Sequence, residues 1–221
     1  MRYPSTNRFR ARRGRVLRRQ IEILAKHLKR DVVVLDVGGR PDYWANIGVK
    51  DIAKIIVLNH DNRELNRDLI EDLPEKLFER RIGDARNLSD YSDGSIDMAH
   101  SNSVIEHVGG WTDMRKMAQE MLRVGRAGWM QTPAWEFPIE PHFRAPFGHW
   151  FGKPAQVKMM SLSAASHIRR LSREKKRERV EMINLISKEE VRLLFPGCSI
   201  YTERFILAKS YVAHWLPEGA V

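Results

Sequence analysis

The apolar run VVVLDV at residues 32–37 passes directly into two glycines, Gly38 and Gly39. A short run with no polar interruption reads as a strand buried on both faces, the habit of a parallel sheet covered by helices. Parallel strands need crossover connections, so this segment points the chain to an α/β architecture. Two glycines just past the strand let the backbone turn tightly and come close to a bound molecule. Asp36, at the strand end, is placed to take a hydroxyl or amino group of that molecule. The same pattern also serves as a plain tight turn. A dinucleotide fingerprint wants three glycines in G-x-G-x-x-G spacing, and Arg40 and Pro41 stand where a further glycine would help.

The flanking segments extend this reading. Leu17, Ile21, Leu24 and Leu28 recur at i, i+4, i+7 and i+11, one face of an amphipathic helix ahead of the strand. Residues 43–47 suggest a short helix, and KIIVL at 54–58 a second buried strand ending at Asn59. Two strands with a helical connection predict a right-handed βαβ unit. A polar residue ending the second strand often meets a ribose. Asn59 can donate and accept, and Asp61 is a charged neighbour. Residues 62–72 are compatible with a helix. A third strand is expected within 77–83, arginine-rich and so nearer an edge, ending in Gly83, Asp84 and Ala85. Asp84 can accept from an exocyclic amine or close an Asx turn.

Residues 95–100 (SIDMAH) predict a fourth strand with the polar rim Ser101, Asn102 and Ser103. His107 is then a candidate to line a pocket. Glu106 beside it suits a supporting or structural role, because adjacent helical residues do not face each other. Residues 111–124 predict a helix capped by Thr112, with Met114, Met117, Met121 and Leu122 as a core stripe. Gly125 and Gly128 are expected to bracket a turn, and residues 127–132 to form a fifth strand stopped by Pro133.

The stretch 133–154 differs in composition: five prolines, with Trp135, Phe137, Phe143, Phe147, Trp150 and Phe151 beside His142 and His149. Such a connection after a strand end suits a lid or wall. Residues 156–181 are expected as one long basic helical segment with Val157, Met160, Leu162, Ile168 and Leu171 on its apolar side. Ser187 and Glu190 form a capping box for a helix at 188–195. Residues 199–207 and 210–215 predict an antiparallel hairpin at the sheet edge.

Charge and cysteine content narrow the partner classes. The single cysteine, Cys198, excludes a disulfide framework and a cysteine-only metal site, and fits a reducing, cytoplasmic compartment. No apolar run approaches the roughly 18 residues of a membrane span. The net charge of +10 is concentrated: residues 1–30 carry eleven Lys/Arg against one acid, and residues 166–181 seven against three. Such segments can meet nucleic acid or another anionic surface. The expected organisation is a flexible basic arm at 1–14 and one domain at 15–221, with 133–181 as a lid or insertion.

Several of these motifs agree in order and spacing with one family. The chain resembles the class I S-adenosylmethionine-dependent methyltransferases, particularly the small-molecule group. VVVLDVGG resembles the first motif, KIIVLN the second strand, IGDARNL the third motif, and SIDMAHSNSVIEHV, the most specific match, the fourth. MLRVGRAGWMQTP resembles the helix and fifth strand, and the last two strands suit the antiparallel seventh strand of that family. Arg40, Pro41 and Asn59 depart from the usual glycine and acid.

The resemblance implies a Rossmann-like three-layer sandwich with a mostly parallel seven-stranded sheet and an antiparallel terminal strand. It implies S-adenosyl-L-methionine as cofactor. Asp36, Gly38 and Gly39 would surround its methionine part, Asn59 the ribose, Asp84 and Ala85 the adenine, and Ser101, Asn102 and His107 the rim near the sulfonium. His142, His149 and His107 are the candidate bases, in that order, and no metal-ligand spacing is evident. The expected acceptor is a small molecule: a sugar, lipid-linked intermediate or secondary metabolite. The alternatives are RNA or protein methylation through the basic arm, and a non-catalytic cofactor-binding relative. An Asn-Pro-Pro-aromatic motif, which would favour nucleic-acid amino methylation, is replaced here by SNSVIEH.

Overall fold

The computed structural model describes residues 8–65, 73–139, 142–143 and 146–220. Helix α1 (Arg8–Leu28) leads into strand β1 (Val32–Val37), followed by α2 (Pro41–Ile47), β2 (Ile52–Asn59), the one-turn helix α3 (Asn62–Leu65) and β3 (Phe78–Ile82). Then come β4 (Ile96–Asn102), α4 (Trp111–Val124) and β5 (Gly125–Pro133). Three helices follow, α5 (Lys153–Met159), α6 (Ser166–Arg169) and α7 (Arg173–Glu181), before α8 (Lys188–Leu194), β6 (Ser199–Phe205) and β7 (Leu207–Trp215). The sheet order is β3-β2-β1-β4-β5-β7-β6. Only β7 runs against the others, pairing antiparallel with both β5 and β6.

Strand alternation divides the core between the two faces. Leu35, Ile56, Leu58 and Ala99 point to the side covered by α4 and α8, where Met114, Met117, Met121, Val191 and Leu194 are buried. Val34, Ile55, Val57 and Met98 point to the other side, onto Leu17, Ile21 and Leu24 of α1 and Trp44 of α2. Each such buried aliphatic side chain stabilises the fold by about 2 kcal/mol. The methionine stripe of α4 is therefore core. At the base of the sheet Asp97 accepts two bonds from Arg30, at 2.7 and 2.8 Å, and one from the Val33 amide, fixing the end of α1 against β1 and β4.

Four local expectations are corrected. Helix α1 starts at Arg8, inside the segment read as a flexible arm (residues 1–7 lie outside the described residues). Tertiary contacts account for this. Arg13 pairs with buried Glu203 at 3.3 Å and donates to Ser210, and Phe9 meets Phe205 edge-on at 5.7 Å. The cap of α4 is Gly110, and Thr112 lies inside the helix; Asp113 bonds back to the Gly110 amide at 3.3 Å. Gly125 and Gly128 do not bracket a turn, since both lie within β5. A Cβ on Gly128 would stand 2.1 Å from the Trp215 ring, and one on Gly125 2.7 Å from the Ala99 methyl.

The segment 156–181 is not one helix. Ser163 turns its hydroxyl onto the Phe143 carbonyl, and Ser172 caps α7 by accepting from the Lys175 amide at 3.2 Å. Such side-chain bonds offer the backbone an alternative to continued helix. The pieces fold around a small core of their own, made by Phe143, Val157, Met160, Ile168 and Val180, while Leu162 is left exposed. The capping box of α8 is present as expected, with Glu190 bonding the Ser187 amide.

Candidate functional site

Strands β1, β2 and β4 end side by side, and the turns beyond them enclose two cavities that share Gly38. This is the carboxyl edge of the parallel strands, where open α/β sheets take their ligands. The first cavity, about 310 Å³, is lined by Asp36, Gly38, Gly39, Tyr43, His100, Asn102 and Ser103, with Arg10 of α1 at its side. The second, about 340 Å³, is lined by Gly38, Asn59, His60, Asp84, Ala85, Arg86, Val104 and His107. Gly38 has a φ of 71°, and a Cβ there would come within 2.5 Å of Val104. The close approach expected of this turn is thus made to the loop after β4.

Asp36 is 1% exposed and turned inward. One carboxylate oxygen accepts from the Trp44 indole at 2.8 Å and the other bonds His100 Nδ1 at 2.6 Å. A Cβ on Gly39 would fall 1.9 Å from that carboxylate. The second glycine therefore makes room for Asp36, and the acid, with both oxygens engaged within the protein, shapes the turn. Asn59 is also engaged. Its amide donates to the Gly39 carbonyl at 3.0 Å and accepts from the Asp61 amide at 3.2 Å, tying the turn to β2. Asp61 is paired with Arg63, whose hydrogen bonds hold its carboxyl below the usual range.

Asp84 lies at the exposed rim of the second cavity. It accepts from the Arg86 amide at 2.9 Å, an Asx turn, and from the Arg86 guanidinium at 2.7 Å, which lowers its pKa. Ser101 is not on the rim as expected: it is fully buried and donates to the Val37 carbonyl at 3.0 Å. Asn102 does face the first cavity, and its Oδ1 is buried with no hydrogen-bond partner among the described residues. The same holds for Nε2 of His100. Burial pushes the Tyr43 phenol well above its ordinary pKa.

Of the three candidate bases, two come together. His107 Nε2 lies 3.1 Å from His142 Nε2, with the rings perpendicular at 4.7 Å. The carboxylate of Glu106, fully buried, lies 4.0 Å from His107 Nε2 and accepts from Thr132 at 3.1 Å. Both residues lie on the single 3₁₀ turn Ile105–His107, and their side-chain ends come within 4.0 Å of each other. Sequence spacing showed no metal set, yet Glu106, His107 and His142 bring one ligand atom each within 4.8 Å of one another. His149 stands apart, with Nε2 bonded to the Trp135 carbonyl at 2.8 Å. It lines a third cavity, about 310 Å³, with Trp111, Trp135, Phe143, Lys153 and Asn184. Asn184 joins this cavity to the histidine turn, because its amide donates to the Glu106 carbonyl at 2.9 Å.

Sequence reasoning missed Tyr43, His100, Val104 and Arg10. His100 lies within the SIDMAHSNSVIEHV motif on β4 and Tyr43 on α2, and no spacing at either position marks a cavity contact. Ser103 had one available signal, a polar residue in a rim. It adopts a φ of 55° and is anchored by its amide and hydroxyl to Gln131, at 2.9 and 3.1 Å. Left-handed backbone at a non-glycine residue is uncommon and concentrates at functional turns.

Comparison with known proteins agrees with this arrangement. A family model described as a methyltransferase domain matches residues 35–129. A protein of Mycobacteroides abscessus named as an uncharacterized methyltransferase is 33% identical over 126 residues, 54% of this chain and 46% of its own length, so the match spans about half of that relative. Among solved structures, magnesium protoporphyrin IX methyltransferase (ChlM) from Synechocystis PCC 6803, with bound SAH, aligns with a TM-score of 0.58 at 10% identity, covering 95% of this chain and 84% of that one. The bifunctional kinase-methyltransferase WbdD aligns with a TM-score of 0.57 at 16% identity, over 95% of this chain and 40% of that one. At such identities the two structures speak for the fold. The matched residues, 35–129, run from β1 into β5 and hold the strand-end site, and in this part the chain is similar to a methyltransferase domain.

Proposed function

We propose that this chain binds S-adenosyl-L-methionine across the two cavities that meet at Gly38 and methylates a small-molecule acceptor. The observation that carries the reading is the pair of buried, unpartnered polar atoms, Asn102 Oδ1 and His100 Nε2, beside a glycine turn whose backbone has no room for side chains. Buried polar groups of native proteins are nearly always hydrogen-bonded, so such atoms suit a polar ligand. Gly38, Gly39 and Asn102 would hold the amino-acid part, and Asn59, Asp84 and Ala85 the nucleoside. The bound cofactor supplies a methyl group made electrophilic by a positively charged sulfur. The chain's own work is to orient the acceptor, exclude water and accept a proton where the acceptor must lose one. His107 and His142 are the proposed bases, in place of His149, which faces the third cavity.

That third cavity has the size of a small-molecule pocket and aromatic walls, which supports a compact acceptor such as a sugar, lipid-linked intermediate or secondary metabolite. Trp135, Phe143, His149, Lys153, Gln156 and Val180 would form its wall. Calorimetric titration of the full chain with S-adenosyl-L-methionine is expected to show saturable binding, weakened about tenfold by Asn102→Ala, the loss of one buried hydrogen bond. No binding at millimolar cofactor overturns the reading.

A second reading rests on the exposed cations Arg169, Arg170, Arg173, Lys175, Arg177 and Arg179, on α6 and α7 and the turn between them. Six cations on one segment suit a polyanionic acceptor such as RNA. Binding to single-stranded RNA that weakens steeply with salt, and is lost when these residues are neutralised, would favour it over the first. No helix among the described residues is long and apolar enough to cross a membrane.

A further inference from the structure

We infer that Glu106, His107 and His142 form a binding site for one divalent first-row transition-metal cation beside the nucleoside-side cavity. Two nitrogens bound to one such ion, each about 2.0–2.1 Å from it, lie about 3.0–3.4 Å apart. The Nε2 atoms of His107 and His142 are already 3.1 Å apart. Glu106 Oε1, 4.0 Å from His107 Nε2, needs only a small side-chain rotation to complete the set. The three ligand atoms come from two separate parts of the chain and converge within 4.8 Å.

The surroundings are those of a metal ligand set. The Glu106 carboxylate is held from behind by the Thr132 hydroxyl at 3.1 Å, and its backbone carbonyl by the Asn184 amide at 2.9 Å. Groups that orient the ligands in this way set the affinity of metal sites. Glu106 is fully buried, so its carboxylate is held in place beside the two imidazoles. Two imidazoles and a carboxylate favour zinc, cobalt, iron or manganese over calcium or magnesium. Three protein ligands leave coordination positions open, as in catalytic rather than structural sites.

His107 lines the cavity shared with Gly38 and Asn59, so an open position there faces the cleft. For the role of the ion, the inference rests on the methyl-transfer reading. An acceptor hydroxyl bound to the ion becomes more acidic; the O–H electron pair stays on oxygen and the proton leaves to solvent. The preferred acceptors are then oxygen nucleophiles; with the ion bound, His107 and His142 hold it, and the base role proposed above applies to the ion-free site.

The test uses the full, tag-free chain, stripped with a chelator and titrated with Zn²⁺ and with Co²⁺. One equivalent is expected to bind, with a visible cobalt absorption and a raised Tm. His142→Ala and His107→Ala are each expected to weaken binding by at least about tenfold. Absence of saturable cation binding, or equal binding by His142→Ala, overturns the site and leaves an N–H···N hydrogen bond as the whole meaning of the histidine contact. S-adenosyl-L-methionine binding is measured separately in chelator. If the cation binds and the cofactor does not, the metal site stands and the methyl-donor reading falls. If the cofactor binds and the cation does not, the metal site falls and the methyl-donor reading stands.

Discussion

The two cavities that meet at Gly38 are built from similar residue types used in opposite ways. On one side Asp36 and His100 are buried, bonded to each other and, through Trp44, to the core. On the other side Asp84 and Arg86 are exposed and paired across two residues, with His107 at 38% side-chain exposure. A buried acid whose two oxygens already accept bonds has little freedom to change partners, because an uncompensated charge would remain. A rim acid in water loses little when it exchanges an arginine for a ligand. The first cavity is thus a preformed mould and the second an adjustable edge.

The most damaging way to break this contrast is Gly39→Ala, which would place a methyl 1.9 Å from the Asp36 carboxylate. We expect a loss of about 3 kcal/mol of stability in denaturant titrations, with cofactor binding abolished. Asp36→Asn keeps the shape but removes the charge facing His100. It should cost about 2–3 kcal/mol, measured the same way. His107→Gln, on the adjustable side, should leave stability within about 0.5 kcal/mol of the parent while lowering methyl transfer at least about tenfold. Equal stability losses for Asp36→Asn and His107→Gln would erase the distinction.

The smallest effect is expected from Asp84→Asn, a fall in Tm of at most about 2 °C at neutral pH. The sign follows from the depressed pKa of Asp84, caused first by its bond to Arg86. Stability from such a group is present above the pKa of an unfolded aspartate and is lost as pH falls through the folded value. The difference between parent and Asp84→Asn melts should therefore vanish on acidification. A difference that grows at low pH would contradict the pairing.

Much of the architecture was legible because it depends on local pattern. Helix α4 begins and ends where its apolar spacing predicts, and the Ser187 capping box is a short-range signal. The continuous runs of β1 and β2 identified strands buried on both faces, and these lie at the third and second places of the sheet. The failures lie where a distant residue decides. The glycines of β5 looked like turn signals, but they accommodate Trp215 and Ala99 from neighbouring strands. The arginines of residues 8–14 looked like a solvated arm, but Arg13 finds buried Glu203, 190 positions away in the chain.

The site divides along the same line. The sequence by itself determined the fold class, the strand ends at which the cleft opens, and the position of the glycine turn, because hydrophobic periodicity and backbone freedom are properties of neighbouring residues. Tertiary structure alone decided what the polar residues do. It turned Asp36 onto Trp44 and His100, buried Ser101 under Val37, and separated His149 from the other histidines. It also brought His142 to His107 and Glu106 across 35 residues. Hydrogen bonds and ligand sets depend on distances of a few ångströms between chain-distant atoms, which no spacing along the sequence encodes.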